Sequence, residues 1–215
     1  MQKTMYLLKT DISKKLRNLL SYFILSIILS ACATVSTTTA ISDDAKPFDK
    51  QQIQHSLSEL SDWQVEGVIG IIHDGKADRA NYMWQQKGDD FSIKIYGPMG
   101  IGSVELSGNK DSVELVESNG DKVQSKDVES LLKQKLGWYV PVNGLVYWIK
   151  GLQQPDIAAN PSYDKLNLLT ELKQSGWDIE YQNYELVDGK YPLPSKIKMS
   201  RDNLTLKVVI KSWTV

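Results

Sequence analysis

Trp63-Gln64-Val65-Glu66-Gly67-Val68-Ile69-Gly70-Ile71 is followed by the turn His73-Asp74-Gly75-Lys76, by Tyr82-Met83-Trp84-Gln85-Gln86 and, past Lys87-Gly88-Asp89-Asp90, by Phe91-Ser92-Ile93-Lys94-Ile95. Apolar side chains at every second position line one face of an extended chain, and an Asp-Gly pair between two such runs suits a tight hairpin. The stretch therefore reads as an antiparallel meander. It continues through Val104-Leu106, Val113-Leu115, an Asn119-Gly120 turn and a stub at Val123. Between 125 and 152 the period becomes helical. Ser125 is expected to cap a helix carrying Val128, Leu131, Leu132 and Leu136 on one face, with Gly137 at its stop. Asn143 is expected to cap a second helix with Leu145, Trp148, Ile149 and Leu152 on its stripe, Gly151 near its end and Lys150 at the surface. Strands resume over 166–173, 177–181, 194–200 and 204–210. Upstream, Ile53, Leu57 and Leu60 recur at helical spacing after Pro47, so a helix opens the folded body. The class is mainly β (α+β), a curling antiparallel sheet wrapped around its own helices. Its inner space is apolar, which suits a greasy ligand, although the same pattern describes any closed core and patterning alone favours the plain core.

Further toward the N-terminus, Lys3, Lys9, Lys14, Lys15 and Arg17 precede the apolar run Leu19–Leu29, which is shorter than the roughly 20 residues that span a bilayer. This is the pattern of a bacterial export signal over residues 1–31. Leu29-Ser30-Ala31-Cys32 closes it with the chain's 1 cysteine, in the pattern of a lipobox whose cysteine is acylated and becomes the first mature residue. A free thiol in an oxidising compartment is unusual, and acylation removes that anomaly. Ala33, rather than Asp, after the cysteine points by analogy with bacterial sorting rules to the outer membrane. Residues 32–46 are expected to be the acylated cysteine and a Ser/Thr-rich flexible tether, and residues 47–215 the folded domain. Removing residues 1–31 takes away five basic side chains and Asp11 and leaves a net charge of −5.

Composition closes off several functions. With 25 Lys+Arg against 26 Asp+Glu the chain lacks the basic excess of a nucleic-acid binder. With 1 Cys and 2 His it has no Cys/His zinc site. Ser130-Leu131-Leu132-Lys133 matches Ser-x-x-Lys, but the companion motifs of penicillin-interacting enzymes are missing and both residues point away from the leucine stripe. His55 lies on the opening helix and His73 in a turn, and no Gly-x-Ser-x-Gly motif accompanies either. No enzyme is expected, no cofactor and no metal. The unusual segment is Gly97-Pro98-Met99-Gly100-Ile101-Gly102, glycine-rich between two strands rather than opening a helix, which excludes a dinucleotide fingerprint. It either folds Met99 and Ile101 back onto the core or presents an apolar tip to a membrane or partner.

The order of lipobox, tether, helix, Tyr82-Met83-Trp84-Gln85-Gln86 strand, Gly97-Pro98-Met99-Gly100 tip and Gly137-Trp138-Tyr139-Val140-Pro141-Val142 running into Gly144-Leu145, Tyr147-Trp148-Ile149 and Gly151 resembles the LolB family of outer-membrane lipoprotein receptors. Leu204, Leu206 and Trp213 at the close agree. The resemblance implies an incomplete antiparallel β-barrel covered by a helical lid, with an apolar cavity. That cavity would accept lipoprotein acyl chains from the soluble periplasmic carrier LolA and release them into the inner leaflet of the outer membrane, without cofactor or nucleotide. The family's membrane-insertion loop carries a leucine after a proline and before a glycine; here the loop is Pro98, Met99 and Ile101, with Met99 at the leucine's place. Strand parity and helix stripes assign the cavity to Trp63, Val65, Ile69, Tyr82, Trp84, Phe91, Ile93, Ile95, Val104, Leu106, Leu145, Trp148 and Ile149. A monomer anchored through Cys32 and facing the periplasm is expected. The rival is a structural or adhesive envelope lipoprotein with a solid β core.

Overall fold

The computed structural model describes residues 36–100, 102–136 and 139–215, with the backbone alone for Met99 and Leu136. The meander expected over 62–96 forms as β2 (Asp62–His73), β3 (Lys76–Lys87) and β4 (Asp90–Tyr96). Asp74 and Gly75 both take positive φ between the paired His73 and Lys76, the two-residue hairpin that their sequence signals. The chain continues as β5 (Val104–Gly108), β6 (Val113–Glu117) and β7 (Lys122–Ser125). After two helices it returns as β8 (Ala159–Tyr163), β9 (Leu169–Gln174), β10 (Trp177–Val187), β11 (Tyr191–Arg201) and β12 (Leu204–Thr214). All pairings are antiparallel, in the order β7-β6-β5-β4-β3-β2-β12-β11-β10-β9-β8. β7 and β8 end the path without meeting, so the sheet is open, as expected of an incomplete barrel.

Parity selects the inner face. The register sets Leu115, Leu106, Ile93, Trp84, Val65 and Trp213 in one row across six strands, and all but the half-buried Ile93 are buried. Three helices cover this face: α1 (Lys50–Ser58), α2 (Val128–Leu136) and α3 (Val142–Trp148). Leu57 of α1 and Trp148 of α3 join a large core with β2, β3 and β9 to β12, while Val128, Leu131 and Leu132 of α2 pack with Leu106, Val113 and Leu115 in a second, smaller one. Ile93 and Leu145 pack against both.

Several details differ from the sequence reading. Thr38–Ala40, expected within a flexible tether, form a short strand, β1, paired with Glu185–Val187 of β10. α1 begins after Asp49, whose carboxylate accepts from Gln52 N at 3.0 Å, rather than at Pro47. α2 is capped by Asp127, which accepts from Glu129 N and Ser130 N, rather than by Ser125. α3 starts at Val142, so Asn143 lies inside it and supplies no cap. β8 was not anticipated, because Asn160 and Pro161 are poor strand formers; Pro161 is tolerated on this edge strand. Pro192 and Pro194 likewise fall where β11 has β10 on one side and β12 has not yet begun to pair.

Gly67 sits opposite a bulge in β12, between Ile210 and Ser212, that brings the two backbones together. A Cβ at Gly67 would lie 2.0 Å from Val209 O, whereas one at Gly70 would make ordinary contacts with Lys207 Cβ at 3.7 Å and Lys207 O at 3.9 Å. Gly67→Ala should therefore destabilise the domain by about 1–3 kcal/mol, as overpacking does, while Gly70→Ala should leave the urea midpoint nearly unchanged.

Candidate functional site

On the inner face Trp63 packs against Trp84 and Trp213, with ring centroids 5.1 and 5.6 Å apart and tilts of 56° and 60°. Such tilted pairs add about 0.5–1.5 kcal/mol each beyond the area they bury. Trp84 Nε1 donates to Gln86 Oε1 at 3.2 Å, and Gln86 Nε2 donates to Gly88 O at 2.9 Å, which stiffens the β3–β4 turn. Trp63 Nε1, by contrast, is buried without an acceptor among the described residues.

The facing wall is α3 and the chain that leaves it. Trp148 is fully buried and donates through Nε1 to Gln174 Oε1 at 2.8 Å. That same oxygen accepts from Gln154 N at 2.9 Å, while Gln174 Nε2 donates to Gln154 O at 2.8 Å and Ile157 O at 3.0 Å. One amide thus fastens helix and loop to β9. Lys150, expected at the surface, is only 4% exposed. Its Nζ donates to Leu57 O at 2.9 Å and Leu60 O at 3.0 Å, satisfying carbonyls at and just past the end of α1. Burial pulls its pKa down from the ordinary lysine value to about 8.

Between these walls lies a cavity of about 470 Å³ that opens to solvent on the side of Ser58, Ser61, Asn109 and Lys110. Leu60 and Trp63 come from the large core and Val128 and Val142 from the smaller one, so the cavity occupies a place where the two do not merge. Phe91, Val146 and Tyr147 extend its apolar surface, and Gln86, Asn143, Lys150 and Gln154 add polar groups. On the rim, exposed Lys110 and Asp89 pair with each other at 3.2 Å. Among the described residues no three His, Cys, Asp or Glu side chains gather as they would around a metal ion.

The family profile described as "Outer membrane lipoprotein LolB" matches residues 61–213. The chain belongs to the LolB family. It is 51% identical over 208 residues to the outer-membrane lipoprotein LolB of Francisella tularensis subsp. novicida, covering 97% of this chain and 99% of that one. It is 34% identical over 191 residues to the LolB of Pseudomonas syringae pv. syringae, covering 89% and 93%. A crystal structure of a LolA superfamily protein from Nitrosomonas europaea superposes with a TM-score of 0.52 at 12% identity, covering 78% of this chain and 94% of that one, a likeness of fold.

Of the thirteen residues that sequence parity assigns to a cavity in this LolB family member, Trp63 and Phe91 stand on the wall of the 470 Å³ space. Val65, Tyr82, Trp84, Trp148 and Ile149 are buried in the large core, Leu106 in the smaller one. Ile69, Ile93, Ile95, Val104 and Leu145 are half-buried and pack against these cores. Cys32 and Ile101 lie outside the described residues, as does Trp138 of the motif. Pro98 is exposed and opens a single 3-10 turn, Pro98–Gly100, closed by Gly100 N donating to Gly97 O at 3.1 Å. This turn follows Tyr96, whereas the cavity touches Phe91 at the other end of β4, about 17 Å away at the rise of an extended chain. Sequence reasoning missed Lys150, Gln86, Gln154 and Val142 on the wall. Lysine and glutamine are rarely buried, so neither patterning nor propensity marks them.

Lys150 also sets a pH dependence. Between pH 8 and the ordinary lysine value the unfolded chain holds a proton that the folded chain has lost, so stability rises with pH across that window. Lys150→Met should be less stable than wild type at pH 7, since two carbonyls lose their donor, and should lack the rise. The gap between the two proteins should widen from pH 7 to pH 10 in chemical denaturation. A constant gap would mean that Lys150 carries no burial penalty.

Proposed function

We propose that this protein is an outer-membrane-anchored lipoprotein, facing the periplasm, that accepts lipoproteins from the carrier LolA into its cavity and inserts them into the outer membrane. Membership of the LolB family supports the reading, and the single observation that carries it is the cavity between two apolar cores. A structural or adhesive lipoprotein with a solid β core gains nothing from leaving Leu60, Trp63, Phe91, Val128 and Val142 around an opening to water. The acyl chains would enter past Trp63 and Phe91. The other assigned side chains, from Val65 to Ile149, would be reached as the two cores part. The protein acts as a monomer, without catalysis, cofactor or nucleotide.

Transfer without fuel requires the free energy of the chains to fall from carrier to receptor to bilayer. Tryptophan and tyrosine suit the middle position, because their faces supply apolar area while their polar edges keep the site less dry than lipid. Acylated Cys32 supplies the anchor: each buried CH₂ contributes about 0.8 kcal/mol, so several chains hold where one does not. The loop of Pro98, Met99 and Ile101 supplies the contact with the leaflet.

Mass spectrometry of the mature protein should find an N-terminal lipid-modified Cys32. Cys32→Ala, lacking the anchor, should still take cargo from the carrier in solution; an unmodified thiol or a well-folded but inactive variant refutes this division of labour. Burying a methionine in the acyl boundary is worth about 1.5–3 kcal/mol, and a carboxylate resists entry. In a two-stage assay, carrier to receptor and then receptor to sedimentable liposomes, Met99→Glu should leave the first step intact and slow the second at least about tenfold, while Met99→Leu preserves both. Delivery by Met99→Glu at the wild-type rate would remove the loop from the mechanism.

A further inference from the structure

The outer face of the sheet, turned away from the helices and the cavity, carries positive charge that nothing on it balances. The register sets Lys198 of β11 directly across from Lys207 of β12, and continues the row through Gly70 of β2 to Arg79 of β3. Lys196 heads the next row, followed by Val209, Val68, Asn81 and Tyr96. Carboxylates stand at the margins: Glu180 on β10 pairs with Lys198 at 2.8 Å, and Glu66 lies on β2 beyond Val68. Lys196, Lys207 and Arg79 are exposed and meet no carboxylate among the described residues, whereas Lys110, Lys122, Lys135 and Lys173 each meet one. Like charges directly opposed on neighbouring strands destabilise a sheet, so Lys198 and Lys207 are not placed there for the fold. A Cβ at Gly70 would meet only Lys207 among the described residues, so the space between Lys207 and Arg79 holds no other side chain.

We propose that this face lies on an anionic phospholipid surface, whose phosphate groups are met by Lys196, Lys207 and Arg79. Charge complementarity carries the assignment, since these cations gather within two rows on a chain whose net charge is −1. The inference rests on the membrane contact proposed for the loop and extends it. Tyr96 ends both the Lys196 row and β4, and Gly97 to Gly102 follow at once, so cations and apolar tip share one continuous surface. Val209, 39% exposed between Lys196 and Val68, adds an apolar contact among the charges. An anchor alone leaves the body free to turn. A basic face selects the side that meets the leaflet, and long lysine and arginine stems let the heads reach the headgroup layer.

The test sediments the Cys32→Ala chain, which lacks the anchor, with vesicles of phosphatidylcholine alone or mixed with phosphatidylglycerol. Each cation near an anionic surface contributes about fivefold, so binding to the mixed vesicles should be about a hundredfold tighter, and high salt should erase the difference. Lys196→Gln, Lys207→Gln and Arg79→Gln should each cost about fivefold on mixed vesicles, and the triple variant should bind both kinds alike. A second triple, Lys122→Gln, Lys135→Gln and Lys173→Gln, removes the same charge from other places and should keep the preference. Lys207→Gln, which relieves the repulsion with Lys198, should melt no lower than its parent, so that lost binding is separated from lost folding. Equal binding to both vesicles by the parent, or equal losses in the two triple variants, overturns the lipid-facing assignment and leaves transfer of cargo from the carrier untouched. A first triple that keeps its vesicle preference but no longer takes cargo from the carrier also overturns it and gives the face to a protein partner. Failure of the parent to take cargo at all overturns the receptor reading, while the vesicle comparison keeps its meaning.

Discussion

The side-chain amide of Gln174 is the interaction on which the site depends. It is 2% exposed, and its two polar atoms make four hydrogen bonds, to the indole of Trp148 and to the backbone at Gln154 and Ile157. An amide buried this deeply is costly when any of its bonds is missing and specific when all are made. Gln174 therefore leaves α3 and the chain after it one way to lie on β9. Lys150, two residues after Trp148, then reaches the end of α1 and fixes α3 relative to α1. One wall of the cavity is held by polar groups that tolerate little displacement.

The opposite wall is held differently. α2 packs through Val128, Leu131 and Leu132 onto β5 and β6, and this smaller core meets the larger one through the half-buried Ile93 and Leu145. Tyr139 adds a tie, donating to Glu129 Oε2 at 2.5 Å, with the guanidinium of Arg201 5.2 Å from its ring. Burial and the bond to that carboxylate push the Tyr139 pKa up to about 12. Apolar contacts are non-directional and yield gradually, so separation of the cores costs about 1.5–3 kcal/mol for each bridging side chain freed, whereas sliding α3 together with the chain after it over Gln174 would break four directed bonds. If an acyl chain binds as proposed, the seam between the cores is where the gap would widen most cheaply.

How much of this was legible follows from the same physics. Period-two alternation placed β2 to β4 and the inner face of Trp63, Val65, Trp84 and Ile93, because a sheet with one covered face repeats its signal at each strand. The helical insert was legible for the same reason. Caps were not, since Asp49 and Asp127 differ from nearby candidates only in where the backbone turns. β8 escaped because Asn160 and Pro161 pair through context rather than preference. Lys150 and Gln174 escaped because a buried lysine or glutamine is settled by the acceptors it meets, and those arrive from residues far away in sequence. The family motif marked this region without supplying the reason, which is the knot that joins Trp148 to β9.

The buried donors left unpaired carry the remaining step. Trp63, Tyr82, Trp177 and Tyr181 each bury a side-chain N–H or O–H with no acceptor among the described residues. In a core selected for stability alone, phenylalanine at such places removes the penalty and keeps most of the packing; this chain has 3 Phe against 6 Trp and 10 Tyr. Desolvation pushes the hydroxyls of Tyr82 and Tyr181 far toward the neutral form, so they stay donors across the physiological range. An interior with donors to spare is less favourable for pure hydrocarbon than a bilayer, yet more favourable than water. A passive receptor occupies that intermediate level, because it must take chains from an aqueous carrier and still surrender them to lipid. On the proposed reading, the composition that weakens the core as a core is the one that would set a downhill order for the cargo.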